Sequence, residues 1–480
     1  MNRLHKYILW LLIVIACAVR FVGLEKSPPG FYADESAAAL NVICMQQTGL
    51  SANGERMPVF AHVVGAALTT PTYLYPGALW VTVFGHSIRS FRALAAFLSV
   101  LTILGVYCLA LNLGGSDYAF FALLAAALSP WSFQFSRIAW DPAVMPFFLV
   151  WGVYFFLRSS SVRNSVISGI FLSLAMYSYY SARVQIPLLM VPLVWLQFRR
   201  GNFKWKHFAI FLVTGIVTCL PLIVLTLRGE FQARTNEVGI FSSEYLKQFG
   251  GFSIPVLIQL LLKNFLEHFR ASFLFVTGDL NVRHSTQFFG ELGWIDVLAL
   301  AAGMLLLGRS ASHRILMKNS SNFGSSASSI LLVSVCGVLF GIAPAALTWE
   351  GLPHALRSLG AWPFLSLFTG LLLWQACLLW KDFILILSAA AVVYASVFFY
   401  VYFTYYPKIA GPWFHSHVKQ AALSAAKDGD WDEFLDAVGD KYEDVWIRYY
   451  LIQYGKKTCL SSSEKLKALH QARGETSNGR

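Results

Sequence analysis

The sequence predicts an all-α polytopic membrane protein. About eleven transmembrane helices are expected, with juxtamembrane helices in the first outer loop and a small C-terminal extracytoplasmic α/β domain. Three observations carry this. Of the 480 residues, 56% are hydrophobic and 13% are charged, about half the charged share of a soluble globular protein. Apolar runs able to cross, or nearly cross, a ~30 Å bilayer core recur through the first 405 residues. The few charges are divided unevenly among the loops between those runs. Disordered, collagen-like and disulfide-stapled chains are excluded, and an ordinary soluble enzyme is disfavoured.

The first run, 7–24, follows Arg3 and Lys6 and contains Ala16-Cys17-Ala18, so it imitates a signal peptide. Because many apolar spans follow, it reads as an uncleaved first span. The others are 92–113, 118–136, 142–157, 165–182, 184–198, 207–227, 294–308, 328–348, 359–380 and 383–405. A further stretch, 71–85 (PTYLYPGALWVTVFG), decides the topology, since every later loop changes side if it crosses. With 71–85 at the interface and the N-terminus cytoplasmic, the inner segments hold twelve basic residues against two acidic ones, Asp117 and Asp382. The outer side up to residue 405, counting Arg20, Arg92 and Asp296 within their runs, holds fourteen basic and thirteen acidic residues. This satisfies the positive-inside rule, whereas a crossing at 71–85 would put RRGNFKWKH outside. The stretch is therefore expected as a juxtamembrane or re-entrant helix.

The resulting picture is an integral inner- or plasma-membrane protein with a cytoplasmic N-terminus and an extracytoplasmic C-terminus. Residues 1–405 form a transmembrane domain with outer loops 25–91 and 228–293, and 406–480 form a small outer domain. In that tail KDGDWDEFLDAVGDKYEDVWIRYYLIQY reads as helix, turn and then a β-branched, aromatic strand. The net charge of +12 is largely the inner-loop bias, so it is no evidence for nucleic acid. The seven Cys show no metal spacing. Five lie in apolar runs, and a bond between the other two, Cys44 and Cys459, is not expected.

The centres of the runs carry almost no charge, and the polar residues gather at their outer ends, which places chemistry at the outer membrane–water boundary. Asp34 and Glu35 follow Pro28-Pro29 and Gly30, at the start of a short helix expected over 34–41, where Asp34 serves equally as an N-cap. Asp141 precedes Pro142, which again suits an N-cap. In TGDLNVRHST, Asp279, Arg283 and His284 lie in a loop, and the two cations could hold an anionic oxygen. In WEGLPHALRSLGAWP, His354 and Arg357 share a helix face by i, i+3 spacing, with Glu350 before them. Arg357 there suits either a phosphate or a snorkelling interfacial Arg. Carboxylates and cations facing one compartment suit a reaction that activates a hydroxyl and expels a phosphate. No phosphate-cradling Gly-rich loop occurs. Glu55, His62 and His284 lack metal-motif spacing, so the sequence assigns no metal ligands, requires no cofactor and leaves a divalent metal unsupported.

At these residues the chain resembles the C-type, integral-membrane glycosyltransferases, in the branch of protein O-mannosyltransferases and aminoarabinose transferases. The carriers are the Asp34-Glu35 pair, TPTYLYPGALWVTVFG followed by Arg89 and Arg92, SPWSFQFSRIAWDP, TGDLNVRHST and GLPHALRSLGAWP. The resemblance implies transfer of a sugar from a polyprenyl-phosphate-linked donor to a hydroxyl of a lipid, glycan or protein acceptor, with inversion. It implies Asp34 as general base with Glu35 beside it, Asp141 on acceptor or sugar, and Arg357, with His354 and Arg283, on the lipid phosphate. Two positions depart from aminoarabinose transferases. Thr69 and Thr70 stand where those enzymes carry an acidic residue and a Lys, and Ala37 replaces an Arg. A polytopic transporter or lipid flippase remains the alternative reading, although it predicts midplane charges and paired broken helices.

Overall fold

The computed structural model describes residues 3–62, 68–158, 161–308, 321–428 and 443–455, and in the tail also 431, 434, 438, 457–460 and 462–464. The inner-loop residues Arg309, Arg314 and Lys318 lie outside the described residues. The chain is mostly helical. In order come α1 Arg3–Val19, α2 Ala33–Thr48, α3 Pro71–Phe84, α4 Ile88–Gly114, α5 Ser116–Leu128, α6 Pro130–Phe135 and α7 Met145–Leu157. Then follow α8 Val162–Ser178, α9 Tyr180–Arg199, α10 Trp205–Leu227, α11 Gln232–Val238, α12 Ser243–Lys247, α13 Ile254–Glu267 and α14 Trp294–Gly308. The later helices are Ser321–Ala346, Trp362–Leu379, Phe383–Thr404, Tyr406–Ala410, Ser416–Asp428 and Glu443–Gln453. The described strands form one antiparallel pair, Ala61–His62 with Leu68–Thr69.

All eleven expected runs coincide with helices, and six described helices are long and apolar enough to cross a membrane by length and composition. The run 118–136 is broken. Pro130 cannot continue α5, and Ser129 leaves the helical region to cap α6 through Ser132 N. α3 has 14 residues, so it is ~21 Å long, short of the ~30 Å core.

Two compact units are built from this chain. One comprises Met1–Val22, Phe97–Ser136 and Val144–Tyr402. It is a helical bundle in which small residues let backbones meet. A methyl on Gly370 would stand 2.6 Å from the Cα of Ala122, so helix Trp362–Leu379 lies directly on α5. The other comprises Gly23–Ala96, Arg137–Ala143 and Phe403–Arg480. Here α2 packs against both α3 and helix Glu443–Gln453.

Two expectations about the tail are corrected. VWIRYYLIQ is helical, and Val445 to Ile452 are all buried. Packing on several sides overrides the strand propensity of its β-branched and aromatic residues. Cys44 of α2 and Cys459 form a disulfide, with Arg448 donating to Ala52 O and Cys459 N to Gln47 Oε1 beside it.

Candidate active site

The catalytic candidates lie in the second unit. Asp34 sits in the first turn of α2 and is not the N-cap, which is Tyr32. It is partly exposed, and the Tyr32 hydroxyl donates to its Oδ2 at 3.2 Å. The ring of Tyr32 stands edge-on to Trp140 and Phe414. Gly30 lets this loop close, because a Cβ there would lie 2.2 Å from Phe414 O.

Asp141 opens a 3-10 turn, yet its partner is distant in sequence. Thr70 N donates to its Oδ2 at 2.8 Å, and the buried Oδ1 has no hydrogen-bond partner. Burial pushes the Asp141 carboxyl up to about 8. The Thr70 N–H opposes the rise and the negative charge of Asp34 adds to it. Asp34 and Asp141 thus act on one another as a carboxyl pair in unlike surroundings, the arrangement that separates an acid from a base.

Glu35 plays a different part from the one expected. It is fully buried, accepting from Arg92 Nε at 2.8 Å and Arg92 Nη2 at 2.7 Å, and from Ala139 N at 2.8 Å. Arg92 gives its other hydrogens to the carbonyls of Leu24, Pro28 and Gly30. Glu35 therefore ties together the start of α2, residues 24–30, α4 and the segment before Asp141. Both of its oxygens are taken up by protein donors, so the structure gives it a holding part beside Asp34. Arg137 reinforces the clamp by donating to Ser27 O.

The remaining candidates gather in the first unit. Asp279 Oδ2 receives His284 Nδ1 at 2.8 Å and Ala355 N at 2.8 Å, and lies 3.7 Å from His354 Nδ1. Two separate sequence motifs are thereby joined. Among the described residues, Asp279, His284 and His354 bring one ligand atom each within 4.8 Å of one another. One carboxylate and two imidazoles form a donor set that suits zinc or a similar divalent metal, so these residues could hold one.

His268, absent from the sequence candidates, accepts from His354 N at its Nε2 and lies 2.9 Å from Asn264 O at Nδ1. Burial pushes it down to about 4, so it is a neutral tautomer with the proton on Nδ1. Buried Glu291 accepts from Asp279 N, and burial pushes its carboxyl well up, with Asp279 adding.

Residues 351–358 form turns rather than the expected helix, so His354 and Arg357 do not share a helix face. Arg357 points back to its own loop, donating Nη1 to Thr348 Oγ1 and Glu350 O, with Nη2 3.4 Å from Glu350 Oε2. Arg283 donates Nε to Asn281 Oδ1, and its carbonyl accepts from Gln134. Glu55 pairs with His62 in the second unit.

Residues 69–225 match the family model described as dolichyl-phosphate-mannose-protein mannosyltransferase. Three solved structures are similar. ArnT from Cupriavidus metallidurans, bound to undecaprenyl phosphate, is 14% identical, with 92% of this chain and 75% of that chain covered and a TM-score of 0.48. The oligosaccharyltransferase AglB from Archaeoglobus fulgidus, with an inhibitory peptide and a dolichol-phosphate, is 14% identical, covering 91% and 60%, with a TM-score of 0.48. The Archaeoglobus fulgidus oligosaccharyltransferase tethered to an acceptor peptide is 14% identical, covering 94% and 59%, with a TM-score of 0.51. This chain thus spans less than two thirds of either oligosaccharyltransferase chain. No curated protein matches it by sequence. Residues 69–225 therefore match the protein mannosyltransferase family model, and the chain has the fold of the Archaeoglobus fulgidus oligosaccharyltransferase.

Proposed function

We propose that the protein is a glycosyltransferase moving a sugar from a polyprenyl-phosphate-linked donor to a hydroxyl of a lipid, glycan or protein acceptor. The transfer takes place within residues 1–405, at the outer face of the membrane, and 406–480 is an extracytoplasmic segment.

The observation that carries this reading is the Asp34–Asp141 carboxyl pair, one member partly exposed and the other buried with an unpartnered oxygen. Asp34 acts as general base. The acceptor oxygen attacks the anomeric carbon from the face opposite the phosphate, the carbon–oxygen bond to phosphate breaks, and Asp34 takes the acceptor proton. Asp141, protonated at neutral pH, donates from Oδ1 to a sugar or acceptor oxygen.

The leaving phosphate takes the bonding electrons, so fixed cations stabilise the transition state more than the ground state. His284, His354, Arg283 and Arg357 are assigned to that end, positioned by Asp279. A divalent metal on Asp279, His284 and His354 would add Lewis-acid neutralisation of the phosphate. The family match over 69–225, which includes Thr70 and Asp141, supports the transferase reading. So do the lipid phosphates named with ArnT and AglB.

Asp34→Asn keeps size and hydrogen bonding but removes the base. Transfer of radiolabelled sugar from lipid donor should fall about 10²–10⁴-fold, with the protein still accumulating in the membrane. Wild-type turnover in that variant would defeat the proposal.

A further inference from the structure

The fully buried Arg92 and Arg20 spend most of their donors on the protein. Arg92 donates to five acceptor atoms, and Arg20 to Ala16 O, Ala127 O and Ser132 Oγ. Arg183, half-buried near the start of α9, does not. Its Nε donates to Met176 O at 3.2 Å, and among the described residues Nη1 and Nη2 have no hydrogen-bond partner. Its guanidinium lies over two aromatic rings, 4.4 Å from the centroid of Tyr180 and 4.2 Å from that of Phe231. Stacking of this kind fixes the plane of an Arg and leaves its edge donors available, the geometry that suits bidentate capture of a phosphate or carboxylate.

Two connections bring Arg183 to the loop that holds His354 and Arg357. Two residues further along α9, Gln185 Nε2 donates to Gly360 O at 2.9 Å. On the other side, Phe231 precedes a segment that pairs with the loop, through Ile240 N to Leu347 O and Trp349 N to Val238 O, both at 3.0 Å. Between those two bonds lies Thr348, an acceptor for Arg357. Arg357 uses its own fork on that loop, whereas Arg183 keeps two nitrogens uncommitted.

We infer that Arg183 is a donor-binding residue whose Nη atoms hold the phosphate of the polyprenyl-phosphate donor. The inference rests on the transferase reading and adds a cation that neither the sequence motifs nor the resemblance supplied. A purely structural Arg at this place would be satisfied by packing alone. A phosphate ligand discriminates between a polyprenyl phosphate and the corresponding polyprenol.

The test is direct binding of undecaprenyl monophosphate and of undecaprenol to purified full-length protein in detergent, for wild type, Arg183→Gln and Arg183→Lys. Wild type should prefer the phosphate, and Arg183→Gln should lose at least ~10-fold of that preference while binding undecaprenol as before. Arg183→Lys, which keeps the charge and loses the fork, should fall between them and serves as the readout if the Gln variant does not fold. Equal phosphate preference in wild type and the folded variants would overturn the role of Arg183 and leave the transferase reading standing. Absence of any preference in wild type would reject that reading and this inference together.

Discussion

Asp141 is where a single side chain changes the behaviour of the protein with pH. Its carboxyl is pushed from the ordinary 3.8 up to about 8, chiefly by burial. Below pH ~4 the group is protonated in both the folded and unfolded chains. Between ~4 and ~8 the unfolded chain releases the proton and the folded one retains it, so this contribution to stability falls as pH rises. Above ~8 both states are ionised and the loss is complete. Asparagine cannot ionise, and its side-chain oxygen still accepts from Thr70 N. Asp141→Asn should therefore melt progressively higher relative to wild type as pH goes from 5 to 9, read by intrinsic fluorescence in detergent. Parallel melting curves would mean that Asp141 does not titrate as its burial dictates.

The elements around Asp34 are held by an ion pair rather than by apolar packing alone. Glu35 and Arg92 are both fully buried and joined at 2.7 Å. Removing one partner leaves the other charge buried and uncompensated, which costs about 3–5 kcal/mol. Arg92→Met should lower the melting temperature and open residues 24–35 to proteolysis, and an unchanged melting curve with unchanged protection would refute the clamp. This pair also marks the limit of what the sequence made legible. Apolar runs located every spanning helix, because burial in lipid writes itself as local composition. Asp34, Asp141, Asp279, His284 and His354 stood out because they are polar residues at the ends of those runs. Their partners did not, since Glu35 and Arg92 are 57 positions apart and Thr70 and Asp141 are 71 apart. Such contacts are made by tertiary packing and leave no periodic trace. Pro130 did signal the break after α5, but the apolar run on both sides concealed it. The helix Glu443–Gln453 carries residues that favour strands, and burial on several sides, α2 among them, makes it helical.

The topology of the whole chain can be argued from one covalent bond and a count of crossings. Cys44 and Cys459 are joined, so the loop after α1 and the tail must lie on the same side of the membrane. Between them run ten spanning segments, from α4 to helix Phe383–Thr404, with α5 and α6 taken as one crossing. Ten is even and satisfies the bond. Counting α3 as well would make eleven and place the two cysteines on opposite sides. The shortness of α3 and the parity of the chain thus give the same answer as the twelve-to-two charge bias of the inner segments. Disulfides persist in oxidising compartments, so the expected sidedness, to be tested, has residue 44 and the tail outside and the basic loop near residue 203 inside. In a background with the five free cysteines replaced, a single cysteine at Leu280 should react with a membrane-impermeant maleimide in intact cells. A single cysteine at Phe203 should react only after permeabilisation. Labelling of position 203 in intact cells would reverse the sidedness and, with it, the placing of Asp34 and Asp279 at the outer face.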